Sequence, residues 1–209
     1  NLLFEDATEV LNLQGITDAN QGLWLDADND GYLDLYLTDE HSSNRFFKNN
    51  KNGYFSETIW TNTLVDSATS QSSCAGDFDL DGDLDMYVCN WFAPDYLLLN
   101  DGTGLFNELD LDLPTLEGLY CSNSASCGDV DNDGDLDLLV ATKEGLIFFY
   151  RNFSKKGNGD FQYDESNSFL FNGKDAYGSL LQDFNNDGWI DCFLSQFGEN
   201  KLFLNNKKG

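Results

Sequence analysis

The sequence predicts an all-β protein, a β-propeller of four four-stranded blades with no significant helix. Three observations predict it: an acidic nine-residue pattern occurs four times, the apolar residues around each copy form short β-like runs, and no segment has a convincing helical pattern. A repeat of about 50 residues with four strands has the size of one propeller blade. Residues 1–209 are therefore predicted to form a single β-propeller domain.

The four copies keep a common register along the whole chain. Their first positions are 51, 52 and 54 residues apart, at Asp26, Asp77, Asp129 and Asp183. A Phe lies 22 or 23 residues before each copy and an Asn lies 22 or 23 residues after its start. These are Phe4, Phe55, Phe106 and Phe161, and Asn49, Asn100, Asn152 and Asn205. The repeat units run approximately over residues 5–55, 56–106, 107–161 and 162–209, with residues 1–4 added to the last unit.

Each unit reads as four strands, as the first unit illustrates. One apolar run precedes the acidic loop at residues 23–25, and a second follows it at residues 35–37. A third run contains residues 46 and 47, and the turn-forming residues 49–53 separate it from a fourth run at Phe55.

The acidic loops have the pattern of a calcium site. Asp at positions 1, 3, 5 and 9 supplies hard oxygen ligands, Gly at position 6 permits a turn with positive φ, and position 7 can offer its carbonyl. An EF-hand would need an acidic residue at position 12, but Leu37, Val88, Val140 and Leu194 stand there in β-like runs. A solvated acidic turn explains one loop but not four copies in register. The predicted calcium ligands, up to one ion per repeat, are Asp26, Asp28, Asp30, Tyr32, Asp34, Asp77, Asp79, Asp81, Asp83, Asp85, Asp129, Asp131, Asp133, Asp135, Asp137, Asp183, Asn185, Asp187, Trp189 and Asp191.

The overall charge restricts the class of partner. With 11 Lys and Arg against 37 Asp and Glu, the formal charge is -26, which argues against nucleic acids and anionic membrane surfaces. The sequence contains no long apolar run, so no membrane-inserted segment is predicted. The chain is 41% hydrophobic and 14% aromatic, enough to bury a core, so we expect a folded protein with cations as natural partners.

The loop, a following hydrophobic strand and the later G-x-F element together resemble the FG-GAP/VCBS repeats of integrin-α-like β-propellers. The form is most similar to secreted proteins of the cartilage acidic protein type. This resemblance implies a calcium-binding propeller, usually of seven blades, in extracellular adhesion, recognition or carbohydrate-related proteins. The present chain departs from it in having four repeats.

Three functions are compatible with these features. The first is a non-catalytic extracellular adhesion or scaffold module that binds a protein partner or another copy of itself. The second is calcium-dependent carbohydrate binding through Trp91, Phe92 and Phe197, although such aromatic residues also pack between blades. The third is a calcium-assisted polysaccharide lyase, for which the single histidine, His41, lies in a polar loop without a nucleophile pattern beside it.

Two further features bear on the compartment. Multi-Asp loops suit the millimolar calcium found outside cells, and Asn152 begins a triplet that accepts N-linked glycans in secreted eukaryotic proteins. The five cysteines have no zinc-site spacing, and both disulfides and buried thiols fit them.

The register also predicts how the domain ends. The segment at residues 2–4 matches the outer strand that the last unit lacks, so it is expected to complete the last blade. It can close a four-bladed ring within one chain or complete the blade of a neighbouring copy. A piece of a larger propeller would show the same register.

Overall fold

The computed structural model describes residues 3–61, 69–117, 120–170 and 175–207, which form four antiparallel sheets in chain order. The first sheet contains β1 (Ala19–Leu25), β2 (Asp34–Asp39), β3 (Arg45–Asn49) and β4 (Phe55–Thr58). The second contains β5 (Thr69–Gly76), β6 (Asp85–Trp91), β7 (Tyr96–Asn100) and β8 (Phe106–Glu108). In both sheets each strand pairs with the next one along the chain.

The third sheet has the same strand order with one additional strand, and the fourth has one strand fewer among the described residues. The third contains β9 (Ser122–Gly128), β10 (Asp137–Thr142), β11 (Leu146–Asn152) and β12 (Phe161–Tyr163), and β13 (Phe169–Leu170) also pairs with β11. The fourth contains β14 (Ala176–Gln182), β15 (Asp191–Gln196) and β16 (Lys201–Phe203). The predicted all-β architecture of four propeller-like repeats is confirmed.

Helical structure is minimal. A 3₁₀ turn at Pro114–Glu117 is the one helical element within the described ranges. No helix in these parts of the chain has the length and apolar character required to cross a bilayer.

Among the described residues, the fourth sheet has three strands, where the prediction had four. Leu3 and Phe4 form no strand here, and their side chains are largely exposed. Residues 1 and 2 lie outside the described part of the chain. The prediction that the N-terminal segment completes the last blade is therefore not realised by Leu3 and Phe4 in this structure.

Successive sheets pack face to face because alternate residues of a strand point to opposite faces. In β2 the ring of Tyr36 faces the second sheet, where it is buried in one cluster with Met86 and Val88 of β6. In β6 the intervening residue Tyr87 faces the third sheet and joins a cluster with Leu138 of β10. A third cluster joins the third and fourth sheets in the same way.

The periodic Asn residues pin each sheet to the preceding one. The Nδ2 atom of Asn100 donates to Ala27 O of the preceding repeat at 2.7 Å and to Leu84 O of its own repeat at 3.1 Å. Equivalent pairs of bonds are made by the two later Asn residues. They are Asn152 to Phe78 O and Leu136 O, and Asn205 to Val130 O and Ile190 O.

The four sheets form an open series. No cluster of buried side chains joins the fourth sheet to the first in the described part of the chain. The rear face of the first sheet, which points away from the second sheet, is instead covered by Leu11, Leu13 and Ile16 of the N-terminal segment. Within the described residues, packing between the fourth and first sheets thus does not close the ring.

All five cysteines are free thiols, which decides between the alternatives left open by the sequence. Cys89 and Cys121 are buried, and the other three are partly buried. They serve as small apolar packing residues in this structure.

A buried carboxyl group lies between the second and third sheets at the end opposite the acidic loops. Asp95 is 1% exposed and accepts hydrogen bonds from Asn90 N at 2.7 Å, Ser122 Oγ at 2.6 Å and Tyr87 Oη at 2.8 Å. Burial raises the pKa of Asp95 from its ordinary value of 3.8 to about 7. The stability that this group contributes is therefore complete below pH 3.8 and is lost as the pH rises to about 7.

Replacing Asp95 by Asn is expected to remove this pH dependence. The amide keeps one acceptor oxygen and cannot ionise, so the variant should gain stability relative to the wild type as the pH rises from 5 to 8, by roughly 3 kcal/mol or less. Urea unfolding at both pH values, in saturating calcium, measures the difference. A variant that differs from the wild type by the same free energy at pH 5 and pH 8 would contradict the assignment.

Candidate metal centres

The four acidic loops share one backbone conformation. Position 6 is a glycine with positive φ in every loop, between 85° at Gly188 and 103° at Gly82. Position 4 is also left-handed in every loop, with Asn in three loops and Leu80 in the second. The sequence predicted the first of these turns and missed the second. The tolerance of Asn for this conformation was the signal that could have revealed it.

The Asp at position 1 fixes the turn. In the first loop the two carboxylate oxygens of Asp26 accept hydrogen bonds from Asp30 N at 2.9 Å and Gly31 N at 2.8 Å. Asp77, Asp129 and Asp183 accept the same two bonds in their loops. The fourth loop therefore has the same backbone fold as the others, although it carries fewer carboxylates.

The Asp at position 9 has a structural role that the sequence did not indicate. Asp85 is fully buried, and its two carboxylate oxygens accept hydrogen bonds from Phe78 N at 2.7 Å and Asn100 N at 2.8 Å. Its burial raises the pKa of Asp85 to about 7. Asp34, Asp137 and Asp191 accept the equivalent pair of bonds. This residue thus ties the loop to the C-terminal end of the third strand of its sheet.

Three loops bring carboxylates close enough together to hold a cation. One oxygen from each of three acidic residues lies within 4.8 Å of the others in each loop. The groups are Asp26, Asp28 and Asp30, then Asp77, Asp79 and Asp85, then Asp129, Asp131 and Asp133. In the fourth loop, Asn185 replaces the carboxylate at position 3. That loop is absent from the three-carboxylate groups found among the described residues.

Orphaned buried oxygens at these groups fit a bound cation. The Oδ1 atoms of Asp28, Asp131 and Asp135 are buried and have no hydrogen-bond partner. Desolvation, followed by repulsion from Asp133, raises the pKa of Asp135 to about 7. Burial also raises the pKa of Asp79 and Asp131. A hard divalent ion would supply what these acceptors lack, and an all-oxygen donor set suits calcium.

Basic side chains contact three of the four loops. Lys48 pairs with Asp28 and Arg151 with Asp131, both at position 3, and Lys207 Nζ lies 2.9 Å from the position-5 oxygen of Asp187. In the first loop, Lys51 also contacts position 5. No ion pair is found for the second loop among the described residues, so its negative charge is the least compensated.

Leu80, the one residue at position 4 that is not Asn, is expected to lower the stability of the second loop. Leu80 has φ 61°, a left-handed backbone conformation that costs a residue with a Cβ about 1 kcal/mol. Replacing Leu80 by Asn should raise the midpoint of thermal unfolding by a few degrees, because Asn tolerates this conformation. Calorimetry in excess calcium measures the shift, with the Leu80→Ala variant as the control that keeps the strain. A lower midpoint for Leu80→Asn than for Leu80→Ala would contradict this explanation.

The residues predicted to carry a glycan or to bind a ligand differ in their exposure and contacts. Asn152 is 1% exposed and its Nδ2 is held by two carbonyls, so the prediction that it carries a glycan is wrong. Trp91 is half-buried because its Nε1 donates to Asn123 Oδ1 at 2.9 Å and Lys143 Nζ lies 4.2 Å from its ring centroid. It therefore links the second and third sheets.

Phe92 and Phe197 are exposed, as a binding residue would be, with 78% and 71% of their surfaces accessible. Both lie at the end of the sheets opposite the acidic loops, where Tyr177 is also exposed. Phe92 has φ 58°, an unusual conformation for a bulky side chain. His41 lies in an exposed loop at the same end, and its backbone N donates to Asp39 Oδ1.

The comparison with protein families agrees with this repeated geometry. A family model described as FG-GAP-like repeat matches residues 26–88 and 77–140, which together cover more than half of the chain. The chain belongs to this family. Each FG-GAP-like match begins at the first Asp of an acidic loop and extends through the next loop. The finer resemblance to the cartilage acidic protein type stays a prediction, and no curated protein matches the sequence.

Solved structures show the same fold at low sequence identity. A lectin from Agrocybe aegerita that specifically recognises non-reducing terminal N-acetylglucosamine aligns at TM-score 0.61 and 21% identity, over 95% of this chain and 52% of the lectin. BBS1N in complex with ARL6DN, from crystals soaked with lead, aligns at TM-score 0.52 and 12% identity, over 91% of this chain and 58% of that one. The FG-GAP-like chain thus spans about half the length of these structures.

Proposed function

We propose that this FG-GAP-like chain is a non-catalytic, calcium-stabilised binding module that works outside the cell. The observation that carries the proposal is the orphaned position-3 oxygen of Asp28 and Asp131, buried in loops that assemble three carboxylates each. Calcium bound there would be held by positions 1, 3 and 5 of the first and third loops and would satisfy the buried oxygens. The extracellular assignment rests on the suitability of such loops for millimolar calcium.

The role of the ion in this proposal is structural. The acidic loops connect the first and second strands of each sheet, so a bound ion would fix the start of β2, β6 and β10. The opposite end of the sheets would remain available for a partner. Exposed loops on a rigid scaffold are common places for recognition.

A calcium titration after treatment with a chelator tests the metal component. Isothermal calorimetry is expected to show at least three binding events per chain, and Asp133→Ala should remove one of them. Asp112→Ala is the matched control, because it removes the same charge from an exposed residue outside the loops. Absence of binding at millimolar calcium, or an equal loss of binding in both variants, would refute the proposed sites.

Carbohydrate binding is the second candidate. It is favoured by the exposed aromatic residues Phe92, Tyr177 and Phe197 at one end of the sheets, since aromatic faces can stack on sugar rings. The likeness to a lectin supports the fold alone at 21% identity. Trp91 is a weaker candidate than Phe92, because its indole N and ring face are engaged.

A glycan array in the presence of calcium distinguishes the two candidates. A carbohydrate-binding protein should give glycan signals that Phe92→Ala weakens and that Ile59→Ala, an exposed apolar position next to the first sheet, leaves unchanged. A blank array with folded, calcium-loaded protein would leave the scaffold or adhesion function as the proposal.

A further inference from the structure

Two thiols face each other at the interface between the second and third sheets. Cys74 of β5 is paired with Tyr87 of the neighbouring strand, and Cys127 of β9 is paired with Leu138. Directly paired residues of antiparallel strands point to the same face of their sheet. Because Tyr87 and Leu138 belong to the cluster buried between these two sheets, both cysteine side chains point into that interface as well.

The register of the repeats gives independent support for this arrangement. Cys74 lies three residues before the first Asp of the second acidic loop, and Cys127 lies two residues before the first Asp of the third. The residues at the same two positions between the first and second sheets are Leu23 and Ala75, and both pack against one cluster there. The middle interface thus carries two thiols at positions that pack against one another in the preceding interface.

The sulfur of Cys127 lies against the backbone of the strand that carries Cys74. Cys127 Sγ donates a hydrogen bond to Ala75 O at 3.3 Å, and Ala75 follows Cys74 in β5. Gly76 permits this close approach, because a Cβ atom at that residue would lie 3.3 Å from the same sulfur and 2.6 Å from Leu136 Cδ1. The thiol of Cys74 in turn donates a hydrogen bond to Cys127 Sγ. The two sulfur atoms are therefore neighbours.

The hydrogen bond between the thiols makes them unequal as nucleophiles. Accepting this bond lowers the pKa of the Cys127 thiol, whereas donating it, together with burial, raises the pKa of the Cys74 thiol. The thiolate is the reactive form in disulfide exchange, so Cys127 reacts first and Cys74 second. Both residues are partly buried, whereas Cys89, the other thiol of this cluster, is fully buried.

We propose that Cys74 and Cys127 are a redox-sensitive pair that forms a disulfide bond between the second and third sheets on contact with a disulfide oxidant such as oxidised glutathione. The Cys127 thiolate attacks one sulfur of oxidised glutathione, and the first glutathione thiolate leaves. The Cys74 thiolate then attacks Cys127 Sγ in the mixed disulfide, so the new sulfur–sulfur bond forms and the second glutathione leaves. The protein gives up two thiol protons and two electrons, and oxidised glutathione becomes two glutathione thiols.

The cross-link joins two strands that lead into neighbouring acidic loops. β5 ends directly before Asp77 and β9 directly before Asp129, so the bond fixes the second and third loops relative to each other. The two cysteines are 53 residues apart in the sequence, and a cross-link over that length stabilises the fold mainly by restricting the unfolded chain. This inference goes beyond the proposed function and requires neither calcium nor a partner to bind.

Equilibration of the folded protein with oxidised or with reduced glutathione tests this inference. After the remaining thiols are alkylated, peptide mass spectrometry of the oxidised sample is expected to show peptides linked through Cys74 and Cys127. The midpoint of thermal unfolding should be about 10 °C higher in oxidised than in reduced glutathione. Recovery of both residues as alkylated or separately glutathionylated thiols, or a link from either one to Cys89, would overturn the inference.

Alanine variants separate this pair from the other thiols. Each variant is compared with itself in the two buffers, so a general loss of packing does not affect the result. Cys74→Ala and Cys127→Ala should abolish the difference between the two midpoints, and Cys192→Ala, at a partly buried thiol of the fourth sheet, should retain it. A shift on oxidation that survives in Cys127→Ala would contradict the assigned pair. Calcium is held constant throughout, so failure of the cross-link and failure of the calcium sites are separate results.

Discussion

Withdrawal of calcium is expected to lower the midpoint of thermal unfolding by about 10 °C. Seventeen Asp residues lie within the four acidic loops, and their mutual repulsion is no longer compensated when the ions leave. If each site binds at ~0.1 mM and calcium is at ~1 mM, mass action stabilises the folded state by roughly 1.4 kcal/mol per site. Three sites then contribute about 4 kcal/mol, and each kcal/mol shifts the midpoint by about 2 to 4 °C in a domain of this size.

Differential scanning calorimetry with calcium, with magnesium and with chelator measures this effect. Magnesium should restore only part of the shift, because it requires a smaller and more regular octahedral site. Asp133→Ala should remove about one third of the calcium-dependent shift, whereas Asp112→Ala, outside the loops, should retain all of it. A midpoint that is the same with calcium and with chelator would contradict a structural role for the ion.

Replacing Asn152 by Ala is expected to destabilise the fold by about 3 kcal/mol. The side chain is buried, and its Nδ2 donates to Phe78 O at 2.9 Å and to Leu136 O at 3.1 Å. Without it, two carbonyls lose a partner at the junction of the second and third sheets, and a small cavity forms. The Asn152→Asp variant should be at least as unstable, since it places a carboxylate beside the two carbonyl oxygens.

Urea unfolding of these variants, with calcium held constant, provides the measurement. Asn107→Ala is the control, because Asn107 is an exposed residue of β8 and its replacement should change the free energy of unfolding by less than about 0.5 kcal/mol. Equal stability of Asn152→Ala and Asn107→Ala would show that the bridge between the repeats contributes little.

The repeated architecture could be predicted because the repeats share a register and each loop position has a chemical reason. The strands before and after each loop, at Leu25 and Leu35 in the first unit, appear where the apolar runs placed them. The role of the periodic Asn could not be predicted, since nothing in one repeat shows that Asn152 reaches a carbonyl 74 residues earlier in the chain. The same bridge explains why its glycosylation triplet was misleading.

The residues of the candidate site could be predicted from the sequence, but the different roles of its carboxylates could not. Spacing alone makes positions 1, 3, 5 and 9 equivalent oxygen donors. The structure separates them, because both oxygens of Asp137 accept backbone N–H groups while Asp131 Oδ1 is left without a partner. The exposure of Phe92 beside the half-buried Trp91 likewise depends on the neighbouring sheet, through Asn123 and Lys143.

The Asn bridges also mean that a single repeat does not by itself determine the conformation of its acidic loop. The carbonyl that each bridge holds, such as Phe78 O, belongs to position 2 of a loop, between two of its predicted ligands. The shape of each site therefore depends on the side chain of the following repeat. A substitution of the bridging Asn in one repeat is therefore expected to change the loop of the preceding repeat as well as its own.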